Sequence, residues 1–561
     1  MKVSELPYKR VSLDELASTM TNVIDRIKNA ESTAQILAAR EDYLKLYLEF
    51  YTNYSLAYMR YTINTVDEFY VGENDYYDEI MPEVQNYMVQ YASALLDSPF
   101  REELEKELSP VLFKSMEVQR KSMAPNVVED MVEENKITSE YSKLMAGMEF
   151  EFRGEKLPRP MLAKYFKSDD RETRREAMEV LGKTLMANRE ALDSIYDRLV
   201  HVRTRIAQKM GYKNFVELGY YRMGRLCYDQ KDVENFRKNV VEDIVPVVAR
   251  LRTENARRMG IDKFMFYDNE VLVPGGDPVP CDKEHIFSAA REMYHAMGKE
   301  TGDFIDMMID NDAFDVDSRK NKWGGGYCTE FPKYKQPFIL ANFNGTSGDV
   351  DVVTHEAGHA LNAYLIADNR FALELQCGGM ETAETHSMSM EFFAWPYMDK
   401  FFGEDAPKYR YMHALDALSF IPYGSMVDEF QHIVYENPDM TPAERNKTWA
   451  ELEKKFRPHI SFEGMPYLEE GTRWQYQMHI FESPFYYIDY CLAQTAAFNF
   501  LLASQDDYDD AFKRYIRLSR QGGEKVWTEL LEEAGFTSPF TPGALKDLAQ
   551  RVEALLTKIK V

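Results

Sequence analysis

The chain has 561 residues, 45% of them hydrophobic, with a formal charge of −26 and a pI near 5.0. Its length exceeds one typical domain and its apolar content suffices for a large core, so it reads as globular. The acidic balance excludes a nucleic-acid backbone or an anionic membrane surface as partner, since both reward clustered Lys and Arg. The opening residues, MKVSELPYKRVSLDELAS, hold no apolar targeting stretch, and no later run approaches the ~20 apolar residues of a membrane span, so a cytoplasmic protein is expected.

Helical periodicity dominates along the chain. The first interruption is MEFEFRGEKL, where Phe150 and Phe152 alternate with acids before Arg153-Gly154, the pattern of a short hairpin. A soft boundary near residues 180–190 divides an N-terminal helical region, 1–185, from a catalytic region, 186–561. Leu192, Ile195, Tyr196, Leu199, Val202 and Ile206 then follow the i, i+3, i+4 rule until Gly211 stops the helix. The second interruption, WGGGYCTEFPKYKQPFILANFNG, joins a Gly run to a short apolar strand from Pro337 to Asn344 and reads as a small sheet. Leu545, Leu548, Val552 and Leu555 repeat the helical pattern at the C-terminus. The expected fold is mainly α, a large multi-helix assembly with a small β element. Cys227, Cys281, Cys328, Cys377 and Cys491 are scattered and never form C-x-x-C, so buried thiols are expected rather than disulfides or a thiolate metal site.

Directly after the small sheet, SGDVDVVTHEAGHALNAYLI opens with Ser347 as an expected N-cap and Asp349 in the first turn, then continues as a buried helix. His355 and His359 are one turn apart, so both imidazoles can reach one ion at ~2.0 to 2.1 Å. Glu356 projects beside them, where it can take a proton from water without itself coordinating. Ala357 and Gly358 are small enough for other backbone to come close. With 10 His in the chain, an accidental His-Glu-x-x-His arises in only a few per cent of such sequences.

Two histidines leave zinc short of a protein ligand. The third His of the metzincin pattern would fall on Leu365, which excludes that class. Glu374 falls near a turn, whereas Glu381, Glu384 and Glu391 lie on a second helix, GGMETAETHSMSMEFFAW. Periodicity favours the 384/391 pair, seven residues apart on one face, with His386 pointing away.

His-Glu-Ala-Gly-His followed 25 residues later by Glu384 (384 − 359 = 25) resembles the thimet oligopeptidase and oligoendopeptidase F family. MEFEFRGEKL, GYKNFVELGYYRM, FDVDSRKNKWGGGYC, PFILANFNG and HIFESPFYYIDY narrow it to the oligoendopeptidase F and Pz-peptidase branch, over roughly residues 145–500. The resemblance implies a zincin-type metallopeptidase with its site in a deep channel, one Zn2+ per chain held by His355, His359 and Glu384, and Glu356 as general base. It further implies that His479, Tyr487 and Tyr490, with Tyr486 beside them, lie over the metal as donors to the developing oxyanion. Glu391 is then the carboxylate that accepts the other ring N–H of a liganding His. The implied reaction is endopeptidase cleavage of oligopeptides, with a metallo-carboxypeptidase or a catalytically silent peptide binder as rivals.

Other constellations fall away. Gly324 to Gly326 lack the Lys-Ser/Thr of a phosphate loop, and IDNDAFD has Asp315 where a calcium loop needs Gly. The cluster Asp506, Asp507, Asp509 and Asp510 is expected to cap or solvate a helix start.

Overall fold

The computed structural model describes residues 1–369, 372–375 and 379–561. Helices make up most of it, with five short strands in two separate sheets. None of the helices among the described residues is long and apolar enough to cross a membrane. Two compact units are each assembled from three stretches of chain.

The first unit comprises Met1–Arg120, Val279–Glu404 and Ala503–Phe536. Its N-terminal part packs helices Leu13–Lys28, Thr33–Ile63 and Glu68–Leu96 together. Ser12 caps the first by accepting from the Glu15 amide at 3.2 Å. The other two meet through a stacked Tyr43–Tyr91 pair with ring centres 3.9 Å apart. Strands β3 (Phe314–Asp317), β4 (Tyr327–Phe331) and β5 (Gln336–Phe343) form a sheet in the order β3-β5-β4, with β3 parallel and β4 antiparallel to β5. The strand expected from Pro337 to Asn344 is thus the central β5. It is buried without alternation from Gln336 to Ala341, as a strand covered on both faces must be.

The second unit comprises Lys121–Pro278, Asp405–Leu502 and Thr537–Val561. Strands β1 (Phe150–Phe152) and β2 (Glu155–Leu157) form the hairpin read from the sequence, with Arg153 (φ 51°) and Gly154 (φ 87°) in the turn. Positive φ at both central residues fits a type I′ turn, whose twist matches the flanking strands. Helix Arg189–Lys209 buries Leu192, Ile195, Tyr196, Leu199, Val202 and Ile206, and Gly211 (φ 90°) ends its run. In the core, Tyr196, Phe430, Trp449, Trp474 and Phe481 form a chain of ring contacts. The Arg203 guanidinium is buried there and compensated by Glu134, the Tyr435 hydroxyl and the Phe481 carbonyl. The expected division near residues 180–190 falls inside this unit, between helices Arg171–Ala187 and Arg189–Lys209. The C-terminal helix Lys546–Lys558 buries Leu548, Val552 and Leu556, so Leu556 takes the place expected for Leu555, which is half-buried.

Among the described cysteines only Cys491 is fully buried, while Cys227, Cys281 and Cys328 are half-buried. Cys377 lies outside the described residues. Asp507 caps helix Tyr508–Ser519 by accepting from the Asp510 amide at 3.0 Å, as the acidic run suggested. Asp315, which stands where a calcium loop needs Gly, is held by Arg319 and Lys322.

Candidate active site

The His-Glu-x-x-His segment is helical but not one uniform α-helix. A first turn, Gly348–Asp351, passes into a π-helical turn, Val352–Glu356, and then into the α-helix Ala357–Ile366. A π turn inserts one residue into the helical count and re-aims the side chains that follow, a device common at functional sites. Ser347 occupies the cap position without a side-chain cap bond. Asp349 does the work instead, its carboxylate accepting from the amides of Asn344 (3.0 Å) and Gly345 (2.8 Å) in the turn leaving β5. The Tyr294 hydroxyl ties the π turn at the Val353 carbonyl, 3.0 Å away, and the Asn362 amide donates to Ser519 O at 2.7 Å.

The second helix, Met380–Phe393, crosses the first at very close range. A Cβ built on Gly358 would lie 2.7 Å from Ser387 Cα and 3.0 Å from His386 O. The small residue inside the motif therefore sets the distance between the two helices. From the far side, the Tyr515 hydroxyl donates to His386 O at 2.9 Å and the Trp527 indole to Thr385 Oγ1 at 3.0 Å.

At this crossing, ligand atoms of His355, His359 and Glu384 all lie within 4.8 Å of one another. Glu384 Oε2 is 3.4 Å from His355 Nε2 and 3.7 Å from His359 Nε2. A tetrahedral ion with ligands at ~2.0 to 2.1 Å separates them by about 3.3 Å, so the triangle fits Zn2+ in both donor type and size. Glu391 Oε1 sits 2.5 Å from His355 Nδ1, which aims the opposite ring nitrogen into the triangle. The Ser387 hydroxyl donates to Glu384 Oε2 at 3.0 Å. Sequence reasoning passed over Ser387, although its i+3 spacing from Glu384 was the available signal.

The other acids considered go elsewhere. Glu381 is buried, with its carboxylate folded over Gly379, where an added Cβ would meet it at 2.5 to 2.9 Å. Glu374 is bound by the Arg40 guanidinium and the Tyr91 hydroxyl. His386, placed by periodicity on the opposite side of the helix from Glu384, is buried, and burial followed by the nearby His359 disfavours its charged form.

Electrostatics sharpen the arrangement. Burial opposes charge on His355, yet the carboxylates of Glu384 and Glu391 outweigh it and hold its proton affinity well above the ordinary imidazole value. Burial pushes His359 down to about 4. Burial also raises Glu384, but His355 and His359 bring it below the usual carboxylate range. Glu356 is raised, chiefly by burial and then by the negative charge of Glu384 and Glu391, against the lowering effect of His355. The Cys328 backbone amide on β4 adjoins its carboxylate.

In the second unit, the structure gathers His479, Tyr486, Tyr487 and Tyr490. His479 stacks on Tyr486 with ring centres 5.5 Å apart and meets Tyr487 edge-on at 4.7 Å. The Tyr486 and Tyr490 hydroxyls are 2.8 Å apart. Gln477 donates to the Tyr487 hydroxyl at 2.7 Å and receives the Tyr423 hydroxyl on its carbonyl oxygen. Neither Gln477 nor Tyr423 carried a sequence signal. The cluster is anchored by Arg225, which donates to Phe485 O (2.5 Å) and Asp489 Oδ1 (3.1 Å), and by the Tyr228 hydroxyl on Asp489 at 2.6 Å.

A helical fold carrying this crossing of two helices, with its paired imidazoles and facing carboxylate, defines a peptidase. A model of the peptidase M3 N-terminal domain matches residues 3–123, and one of peptidase family M3 matches residues 287–550. The structure of Pz peptidase A, solved with an inhibitor, is 43% identical over 100% of both chains with a TM-score of 0.92. A protein of Bacillus anthracis strain Ames, provisionally named an oligoendopeptidase F, is 41% identical over 100% of this chain and 99% of its own, with a TM-score of 0.87. Oligopeptidase PepF of Bacillus subtilis (strain 168) is 21% identical over 409 residues, 71% of this chain, and the match spans 59% of that relative's length. The chain belongs to peptidase family M3.

Proposed function

We propose that the protein is a zinc-dependent endopeptidase that cuts internal bonds of oligopeptides, with His355, His359 and Glu384 as the ligands of one Zn2+ per chain. The observation that carries this reading is the triangle itself, half-buried at its two imidazoles and buried at Glu384, with Glu391 behind His355. When bound, the ion supplies Lewis-acid polarisation of the scissile carbonyl and lowers the pKa of water. Glu356 accepts the proton of the attacking water and returns it to the leaving amine, so no covalent intermediate forms. His479, Tyr487 and Tyr490 act as hydrogen-bond donors to the oxyanion, a contribution concentrated in the transition state.

The test is digestion of an internally quenched peptide blocked at both ends, with zinc content measured in parallel. Cleavage that disappears on chelation and returns with Zn2+, together with a Glu356→Gln variant that keeps its zinc but loses most turnover, is the expected result. Cleavage only of peptides with a free carboxylate would identify an exopeptidase instead, and full activity after exhaustive chelation would remove the metal from the reaction.

A further inference from the structure

Of the five tryptophans, Trp395, Trp449, Trp474 and Trp527 are at most 4% exposed, whereas Trp323 is 40% exposed. Its exposure is not that of a loose loop. The Trp323 amide donates to Thr62 O at 2.9 Å, and its carbonyl accepts from Asn342 Nδ2 at 3.0 Å. Immediately before it, the Lys322 ammonium is buried among Asp315 O (2.9 Å), Asp315 Oδ1 (2.9 Å), Asp317 O (3.1 Å) and Ala341 O (2.5 Å). A buried ammonium with that many acceptors is costly to dislodge, so it pins the segment to the sheet. The indole folds back over Gly325, where an added Cβ would meet ring carbons at 2.0 to 2.7 Å. The Gly run, which has no phosphate-loop chemistry, thus makes room for an outward-facing ring.

Trp323 is not alone. Its ring centre lies 6.0 Å from that of Tyr327 on β4, which lies 5.4 Å from Tyr58 on helix Thr33–Ile63. The Tyr327 and Thr62 hydroxyls are 2.6 Å apart, fixing the middle ring. Tyr58 and Tyr327 are half-buried. The residue after Tyr327 is Cys328, whose amide adjoins Glu356, so the strand that carries the middle ring also carries a backbone contact to the proposed base. A rigid row of partly exposed rings beside reacting groups presents apolar area with little ordering cost, which is what a side-chain subsite requires.

We infer that Trp323, Tyr327 and Tyr58 form a preorganised aromatic shelf that takes one aromatic side chain of the bound peptide and so sets a cleavage-site preference. This rests on the peptidase reading of the neighbouring site. Ring-on-ring contact adds to the area buried by the aromatic side chain, so a preference of roughly 10-fold is expected.

The experiment uses end-blocked peptides of one length in which a single Phe is moved along an Ala-Gly background. Binding is measured by calorimetry on zinc-loaded Glu356→Gln protein, and cleavage on the otherwise unaltered enzyme. The expected result is one Phe position that binds about 10-fold more tightly than Ala. That ratio should collapse toward 1 in Trp323→Ala and be largely retained in Trp323→Phe, with thermal midpoints confirming that both variants fold. Absence of any positional preference, or a preference that survives Trp323→Ala, overturns the shelf. Because binding is read without turnover, a protein that discriminates the peptides but cleaves none would sink the peptidase reading and leave the shelf standing.

Discussion

Among individual residues, the four acids near the motif separate by what each touches. Glu384 faces both imidazoles, Glu391 faces the far nitrogen of His355, Glu381 folds over Gly379, and Glu374 is bound to Arg40 and Tyr91. Replacing Glu384 by Ala should therefore abolish stoichiometric zinc, because two imidazoles alone leave the ion under-coordinated. Glu391→Ala should weaken zinc only by the ~10 to 100-fold usual for loss of a ligand's hydrogen-bond partner. Competition against a chelator of known affinity measures both, and the reverse order would exchange the two roles. The seven-residue spacing of these acids was legible in the sequence because a shared helix face needs only periodicity. The contacts of Gln477 with the Tyr487 and Tyr423 hydroxyls were not, because they join positions 10 and 54 residues apart through side chains of common types.

Among the elements, the hairpin could be read from alternation and turn chemistry and the central strand from its apolar run after the Gly stretch, all of them local signals. The π turn at Val352–Glu356 could not, since it reflects a shifted hydrogen-bond pattern and leaves no compositional mark. Ser347 looked like the cap on residue type, yet Asp349 holds the turn because its carboxylate reaches two amides at once. What the sequence did show is the smallness of Ala357 and Gly358. Gly358→Ala would put a methyl 2.7 Å from Ser387 Cα, a backbone atom with no rotamer by which to yield. The helices must separate, at ~1 to 3 kcal/mol for the overpacked contact. Since His355 and His359 ride on one helix and Glu384 on the other, zinc affinity should fall at least about 10-fold together with a lower thermal midpoint. Calorimetry and chelator competition test the two effects separately. A variant with a lowered midpoint but full zinc affinity would mean that the crossing distance does not govern the metal triangle.

For the whole molecule, each unit is built from three separated stretches, so no single boundary in the sequence could delimit them. Helical periodicity shows which face of a helix is buried but not which distant helix covers it. The scale of the molecule also decides its response to acid. His386 and His459 lie in different units, and burial pushes each down to about 3, with His359 adding to the effect on the first and Arg252 and Arg457 on the second. An unfolded chain protonates both near 6.5. Between 6.5 and 3 the unfolded state therefore binds protons that the native state refuses, so their stability contribution is complete above pH 6.5 and is lost as pH falls toward 3. His459 is the cleaner probe because it lies outside the metal triangle, packed beside Phe264 with a shielded Nδ1. Lowering the pH from 7.5 to 5 should cost at most about 2 kcal/mol through this one residue, less whatever solvent screens its accessible edge. His459→Asn removes the titration, so its midpoint should fall less steeply over that range than that of the unaltered protein, whatever its midpoint at pH 7.5. Parallel curves of midpoint against pH would show that His459 is protonated in the folded protein as readily as in the unfolded chain.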